Sequence, residues 1–160
     1  MTPTRLFKPL LAAALALAAL HAAALTRGIG PDGTAFASGG VSDEDQTRMR
    51  GEAGEFSFWL TTAVKGSGAY LSDIQVRITD LADQRLVLST RMTGPWLMVA
   101  LPPGRYLVDA MKWTGSAASA EVERRETAID DKGQRKMVLY FSDPEAQTDP
   151  VPPAARASGG

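Results

Sequence analysis

The 160-residue chain carries seventeen Lys and Arg against eighteen Asp and Glu, with one histidine and no cysteine. A chain of this length holds one domain, and a net charge of −1 lacks the basic excess that a phosphate-backbone partner demands, so nucleic acid is not expected. The missing thiol excludes disulfides, thiolate metal sites, iron–sulfur ligation, a cysteine nucleophile and a lipidated cysteine anchor.

Residues 1–24 have the makeup of a secretory signal peptide. Arg5 and Lys8 precede an uninterrupted Leu/Ala run from Leu10 to Leu20, and Ala22 and Ala24 satisfy the small-residue cleavage rule. That apolar run is short of the roughly 20 residues needed to cross a bilayer. Cleavage after Ala24 leaves no stable membrane span, gives a periplasmic protein and removes His21, the only histidine.

Residues 25–40 contain Gly28, Gly30, Gly33, Gly39 and Gly40 without a hydrophobic period, the composition of a flexible linker. Ser42 followed by Asp43, Glu44 and Asp45 is an N-cap with acidic residues in the first turn, and predicts one short, mostly polar surface helix within residues 41–54.

From Glu55 the period becomes two. Phe56, Phe58 and Leu60 share one strand face, and Ile74, Val76 and Ile78 another. Lys65-Gly66-Ser67-Gly68 supplies a turn, and Leu86-Val87-Leu88 a further strand. Trp96 to Leu101 is apolar throughout, as in a strand covered on both faces. Pro102-Pro103-Gly104 fits a type II turn with Gly104 at positive φ. The strand that resumes at Arg105 is followed by a polar, edge-lying strand in residues 117–129. A reversal at Asp130-Asp131-Lys132-Gly133, with Gly133 left-handed, leads to a closing strand, Lys136 to Phe141.

The expected fold is therefore all-β: an antiparallel β-sandwich of about seven strands over residues 55–142. Its inward set is Phe56, Phe58, Leu60, Ile74, Val76, Ile78, Leu86, Leu88, Leu97, Val99, Leu101, Tyr106, Val108, Val138 and Tyr140. Residues 143–160, rich in Pro, Ala, Ser and Gly, form an expected disordered tail.

Three segments carry a resemblance: Gly68-Ala69-Tyr70-Leu71-Ser72-Asp73-Ile74-Gln75-Val76, Gly94-Pro95-Trp96-Leu97, and Leu101-Pro102-Pro103-Gly104-Arg105-Tyr106-Leu107-Val108. Together they resemble the carboxypeptidase-regulatory-like, or transthyretin-like, domain, as found in small exported proteins of Gram-negative bacteria. The resemblance implies a seven-stranded prealbumin-like sandwich serving as an accessory or binding module. Hydroxyisourate hydrolases share that fold, but their histidines and terminal tyrosine-arginine-glycine-serine signature have no counterpart here, where Arg156-Ala157-Ser158-Gly159-Gly160 stands instead.

No catalytic set emerges. A serine triad needs an imidazole, and Lys65, Lys112, Lys132 and Lys136 fall in turns or at strand ends, where exposure keeps an amine protonated. The acidic groups Asp43-Glu44-Asp45, Asp80 with Asp83, and Asp130-Asp131 occupy helix starts and turns, where Asp caps and turns the backbone. None reproduces a calcium loop, and no metal or cofactor is expected.

Trp59, opposite the Phe58 face, and Trp113, beside a Gly-Ser turn, are the candidate ligand-binding residues, since exposed Trp stacks on sugars or anchors a partner. The competing expectation for Trp59 is that the preceding helix or the opposite edge covers it. Trp96 is assigned to packing. The functional expectation is a non-enzymatic periplasmic accessory module of the cell envelope that recognises a protein or glycan partner. The alternatives are a carboxylate-dependent hydrolase, or an envelope chaperone or assembly factor acting through an edge strand.

Overall fold

The computed structural model describes residues 25–114 and 119–142. The expected signal peptide, the Gly-Ser turn beside Trp113 and the expected tail lie outside the described residues. Within them the protein is mostly β, with two sheets and one short helix: β1 (Thr26–Ile29), β2 (Ala35–Gly39), α1 (Asp43–Glu52), β3 (Phe58–Val64), β4 (Gln75–Asp80), β5 (Leu86–Arg91), β6 (Trp96–Val99), β7 (Gly104–Trp113), β8 (Ala120–Ile129) and β9 (Arg135–Phe141). One sheet runs β1-β2-β6-β3-β9 and the other β5-β4-β7-β8.

Nine strands rather than about seven follow from residues 25–40, which are not a linker but the β1–β2 hairpin. Asp32 accepts the Thr34 amide at 3.0 Å, Gly33 turns the chain at φ +91°, and the Gly30 amide donates to the Thr34 carbonyl at 2.8 Å. The glycines that look like flexibility serve close approach. A Cβ on Gly30 would lie 2.2 Å from the Val87 carbonyl oxygen, so only glycine lets the hairpin meet β5 of the facing sheet.

Helix α1 forms as its cap predicts. The Ser42 hydroxyl accepts the Asp45 amide at 3.1 Å, three acidic residues occupy the first turn, and Glu44 pairs with Arg48 at 3.0 Å. The helix is more than a surface ornament, because Met49 is fully buried against the outer face of the five-stranded sheet.

All strand pairs are antiparallel except one. β9 runs parallel to β3, with Leu60 opposite Met137, Thr62 opposite Leu139 and Val64 opposite Phe141. A parallel neighbour needs a long crossover, and here that crossover contains the whole four-stranded sheet together with β6.

This register corrects the expected core. Leu139 and Phe141 face inward, while Val138 and Tyr140 are 47% and 50% exposed. Met137 to Phe141 is apolar at every position, so alternation alone could not choose the face, and pairing with β3 chose it. Leu86 is half-buried, and Val87 beside Leu88 completes the core instead. Phe56 is buried on the far side of the five-stranded sheet, with Met49 and Trp59. The other predicted core positions, among them Phe58, Leu60, Ile74, Val76, Ile78 and Val108, fill the space between the sheets.

Gly104 begins β7 and is not among the glycines at positive φ. Its small size instead admits the Tyr106 hydroxyl, which donates to the Pro102 carbonyl at 2.8 Å and ties down the Pro-Pro turn. Gly133 does take positive φ, and β8 is the edge strand its polar sequence predicts. β6 is buried along its whole length, one face toward the sandwich and the other beneath α1.

Candidate functional site

The outer face of the five-stranded sheet is partly covered by α1, which helps bury two tryptophans there and leaves Tyr70, Val138 and Tyr140 exposed. Strand alternation points Phe58 and Leu60 into the sandwich and Trp59 away from it. On β6 the same alternation buries Leu97 in the sandwich and places Trp96 outside, opposite Thr61. The two indoles meet edge to face, with centroids 5.0 Å apart at 66°, a favoured geometry for rings of opposed edge and face charge. Gly40, at φ +87°, lies against the Trp96 ring, where a Cβ would come within 2.8 Å of Cδ2.

Tyr70 completes the aromatic set. It is held by a bridge to Ala63, and the connection around it is fixed by the Thr62 hydroxyl donating to the Leu71 carbonyl at 2.7 Å and the Leu71 amide returning to Thr62 at 3.0 Å. Its ring stands 6.2 Å from Trp96 at 78° and is 56% exposed. Val138 and Tyr140 extend this apolar surface along β9, the open edge of the sheet.

Two cations frame the aromatics. The Arg50 guanidinium, from the last turn of α1, is 5.0 Å from the Trp96 centroid, and the Lys136 ammonium is 5.4 Å from that of Trp59. Many of the other arginines pair with acids, as Arg105 does with Glu126 at 2.8 Å and Arg91 with Asp73 at 3.0 Å. Among the described residues neither Arg50 nor Lys136 has a carboxylate partner; Arg50 donates only to the Gln46 side-chain oxygen, at 3.0 Å. The result is a groove of about 430 Å³ with an aromatic floor, a positive rim and an apolar approach along β9.

The two predicted tryptophans are not brought together. Trp59 is 8% exposed, covered by α1 and its sheet neighbours, the second of the two expectations for it. Trp113 is 49% exposed at the end of β7, on the outer face of the other sheet near Met111 and Val122. Trp96 packs as assigned but also walls the groove. Local sequence pattern gives Tyr70, Arg50 and Lys136 no site signal. The parallel pairing that sets Lys136 beside Trp59 has no local signal, and Tyr70 sits in a connection without periodicity.

The acidic groups do what turn chemistry predicts. Asp80, Asp83 and Asp130 accept the amides of Ala82, Arg85 and Lys132 at 2.8, 3.0 and 3.0 Å. A second groove, of about 440 Å³, has Glu55, Asp130 and Asp131 in its wall. Beside it Gln134 spends its amide on the Ala53 and Phe56 carbonyls, at 2.9 and 3.0 Å, pinning the end of the helical segment to β9. No group of three or more metal-ligating side chains gathers among the described residues, and no helix there is long and apolar enough to cross a membrane.

On the four-stranded sheet, Arg124 is bonded to Asp109, and that bond raises the guanidinium pKa above its usual value. The outer face there is laced with such internal ion pairs, in contrast to the unpaired rim around Trp59 and Trp96. A scan against known protein families and a search of curated proteins find no match to this chain.

Proposed function

We propose that the protein is a non-enzymatic binding module, exported to the periplasm, that recognises a protein or glycan partner of the cell envelope through the aromatic groove between α1 and β9. The observation that carries this is the joint placement of the exposed Tyr70 ring beside the buried Trp59 and Trp96, with two cations that have no carboxylate partner among the described residues. Aromatic rings give contact area at low entropic cost, and a positive rim favours a ligand with a carboxylate or another anionic group. The prealbumin-like resemblance of residues 55–142 and the leader-like residues 1–24 support the same reading.

The test titrates two defined probes, an acidic proline-containing peptide and a uronic-acid oligosaccharide, against the protein and its Lys136→Gln and Tyr70→Ala variants. NMR of the Val138 methyls and the Trp59 and Trp96 indoles follows binding. Saturable shifts that weaken several-fold in both variants support the assignment. No shift with either probe at about millimolar concentration, the weakest affinity of interest, overturns it.

A further inference from the structure

We propose that the open edge of β9 pairs antiparallel with the same edge of a second copy of this chain, joining two five-stranded sheets into one across a two-fold axis at Val138. The proposal goes beyond the groove reading, because it uses backbone groups at the sheet edge and needs no ligand in the groove.

The register with β3 decides which groups are free. The Arg135 amide donates to the Ser57 carbonyl and the Phe141 carbonyl accepts the Lys65 amide, each at 2.7 Å, so the odd-numbered residues of β9 face β3. The residues between them turn their amides and carbonyls the other way. Lys136, Val138 and Tyr140 therefore present theirs at the sheet edge, where no further strand follows, and none of these groups is hydrogen-bonded to another described residue. The free stretch ends at Ser142, whose amide and carbonyl are already held by Glu121 and Lys112 at 2.9 and 2.6 Å.

A row of unpaired backbone groups is a template for another strand unless charge, proline or a covering element blunts it. The edge strand of the other sheet, β8, is blunted by Glu121, Glu123, Arg124, Arg125 and Glu126. β9 is charged only at Arg135 and Lys136, and is apolar from Met137 to Phe141.

This edge is complementary to itself in one register. With the axis at Val138, that residue meets the partner's Val138, Lys136 meets the partner's Tyr140, and all three outward residues exchange both of their backbone hydrogen bonds. The lysine then faces a half-exposed aromatic ring in place of a like charge, and half-buried Met137 meets the partner's Leu139 on the inner face. An axis at Lys136 would oppose two lysines. One at Leu139 would need the Ser142 groups that are already in use, and one at Met137 would bring in Gln134, which precedes the strand. A slip by a single residue sets outward groups against groups already bonded to β3. One strand pair buries less than the roughly 1,000 Å² that a lasting interface clears, so the dimer is reversible, with a Kd of about 10 µM to 1 mM.

Sedimentation equilibrium of the full chain at up to about 1 mM should show monomer and dimer in exchange. In an isotope-filtered mixture of labelled and unlabelled protein, the Lys136 side chain should give nuclear Overhauser effects to the Tyr140 ring, which within one chain lies about 13 Å along the strand. Tyr140→Lys sets lysine against lysine twice across the axis and should weaken association roughly ten-fold. Adding Lys136→Glu should restore it to within about three-fold of the unmodified chain, because opposite charges then face each other. Val138→Pro removes an outward amide that β3 does not use, a place where an edge strand tolerates proline, and should abolish the dimer. Since Tyr140 is half-exposed, the charge exchange tests the register even if Val138→Pro does not fold. No self-association at about 1 mM, association indifferent to Tyr140→Lys, or no recovery with Lys136→Glu overturns the proposal. So does protection of the Val138 amide from exchange only when the acidic peptide probe is added, which would assign the edge to a foreign strand.

Discussion

Lys136 faces Trp59 directly across the parallel β3–β9 pair, with its ammonium 5.4 Å from the indole centroid. That contact joins the last strand to the first strand of the expected sandwich on the face away from the core. Since Lys136 is exposed, the interaction contributes about 0.5–1 kcal/mol. Lys136→Gln should lower stability by that amount in urea denaturation, and Lys136→Arg should restore it. Equal losses in the two variants would show that the stem, not the charge, matters.

The two faces of β9 make opposite predictions although their residues look alike. Leu139→Ala, at a fully buried position, should cost about 2–5 kcal/mol by removing transfer energy and leaving a cavity. Val138→Ala should cost less than about 1 kcal/mol, since its side chain is half in water. Denaturant midpoints measured at constant slope compare them, and similar losses would contradict the parallel register.

How much of this was legible beforehand depended on whether a pattern was local. The strict alternation of Ile74, Val76 and Ile78 and the Ser42 cap announce a strand and a helix start, and both are found. In Met137 to Phe141 every residue is apolar, so the inward face was decided by Thr62 and Val64 across the ladder, which no window of sequence contains. The β1–β2 hairpin was hidden for a related reason: its glycines read as looseness, yet Gly30 is dictated by the Val87 carbonyl of the other sheet. The groove inherits both difficulties. Trp59 and Trp96 are visible as residues, but Arg50, Tyr70 and Lys136 join them only through tertiary pairing.

Two glycines test the distinction between tolerance and necessity. A Cβ on Gly94 would lie 2.2 Å from the Gly39 carbonyl oxygen, and because the nearest obstructing atoms are all Gly39 backbone, no flexible side chain can yield. Gly94→Ala should therefore destabilise by about 1–3 kcal/mol, the usual cost of overpacking. Gly51, inside α1, has open space around its Cβ position. Gly51→Ala should stabilise by about 0.4–1 kcal/mol through helix propensity and a less entropic unfolded chain. Thermal melts of the two variants should move in opposite directions.

Tyr106 makes stability depend on alkaline pH. Its phenol is buried and donates to the Pro102 carbonyl at 2.8 Å; burial above all, then the negative charges of Asp80 and Asp32, raise its pKa above the ordinary value of 10.0. The folded state therefore holds the phenolic proton more tightly than the unfolded state does. The stabilisation from this linkage is fully present below about pH 10 and declines as pH rises from there through the raised folded pKa, because in that interval the folded chain binds more protons than the unfolded one. Tyr106→Phe removes both the hydrogen bond and the titrating group. At pH 8 it should cost about 1 kcal/mol, the net worth of one hydrogen bond. Above pH 10 the gap between wild type and variant should narrow, as the tyrosine loses its advantage and phenylalanine has none to lose. Denaturation midpoints of the two proteins at intervals from pH 8 to 11 measure that gap, and a constant difference across the range would mean that the phenol ionises no differently in the folded chain than in the unfolded one.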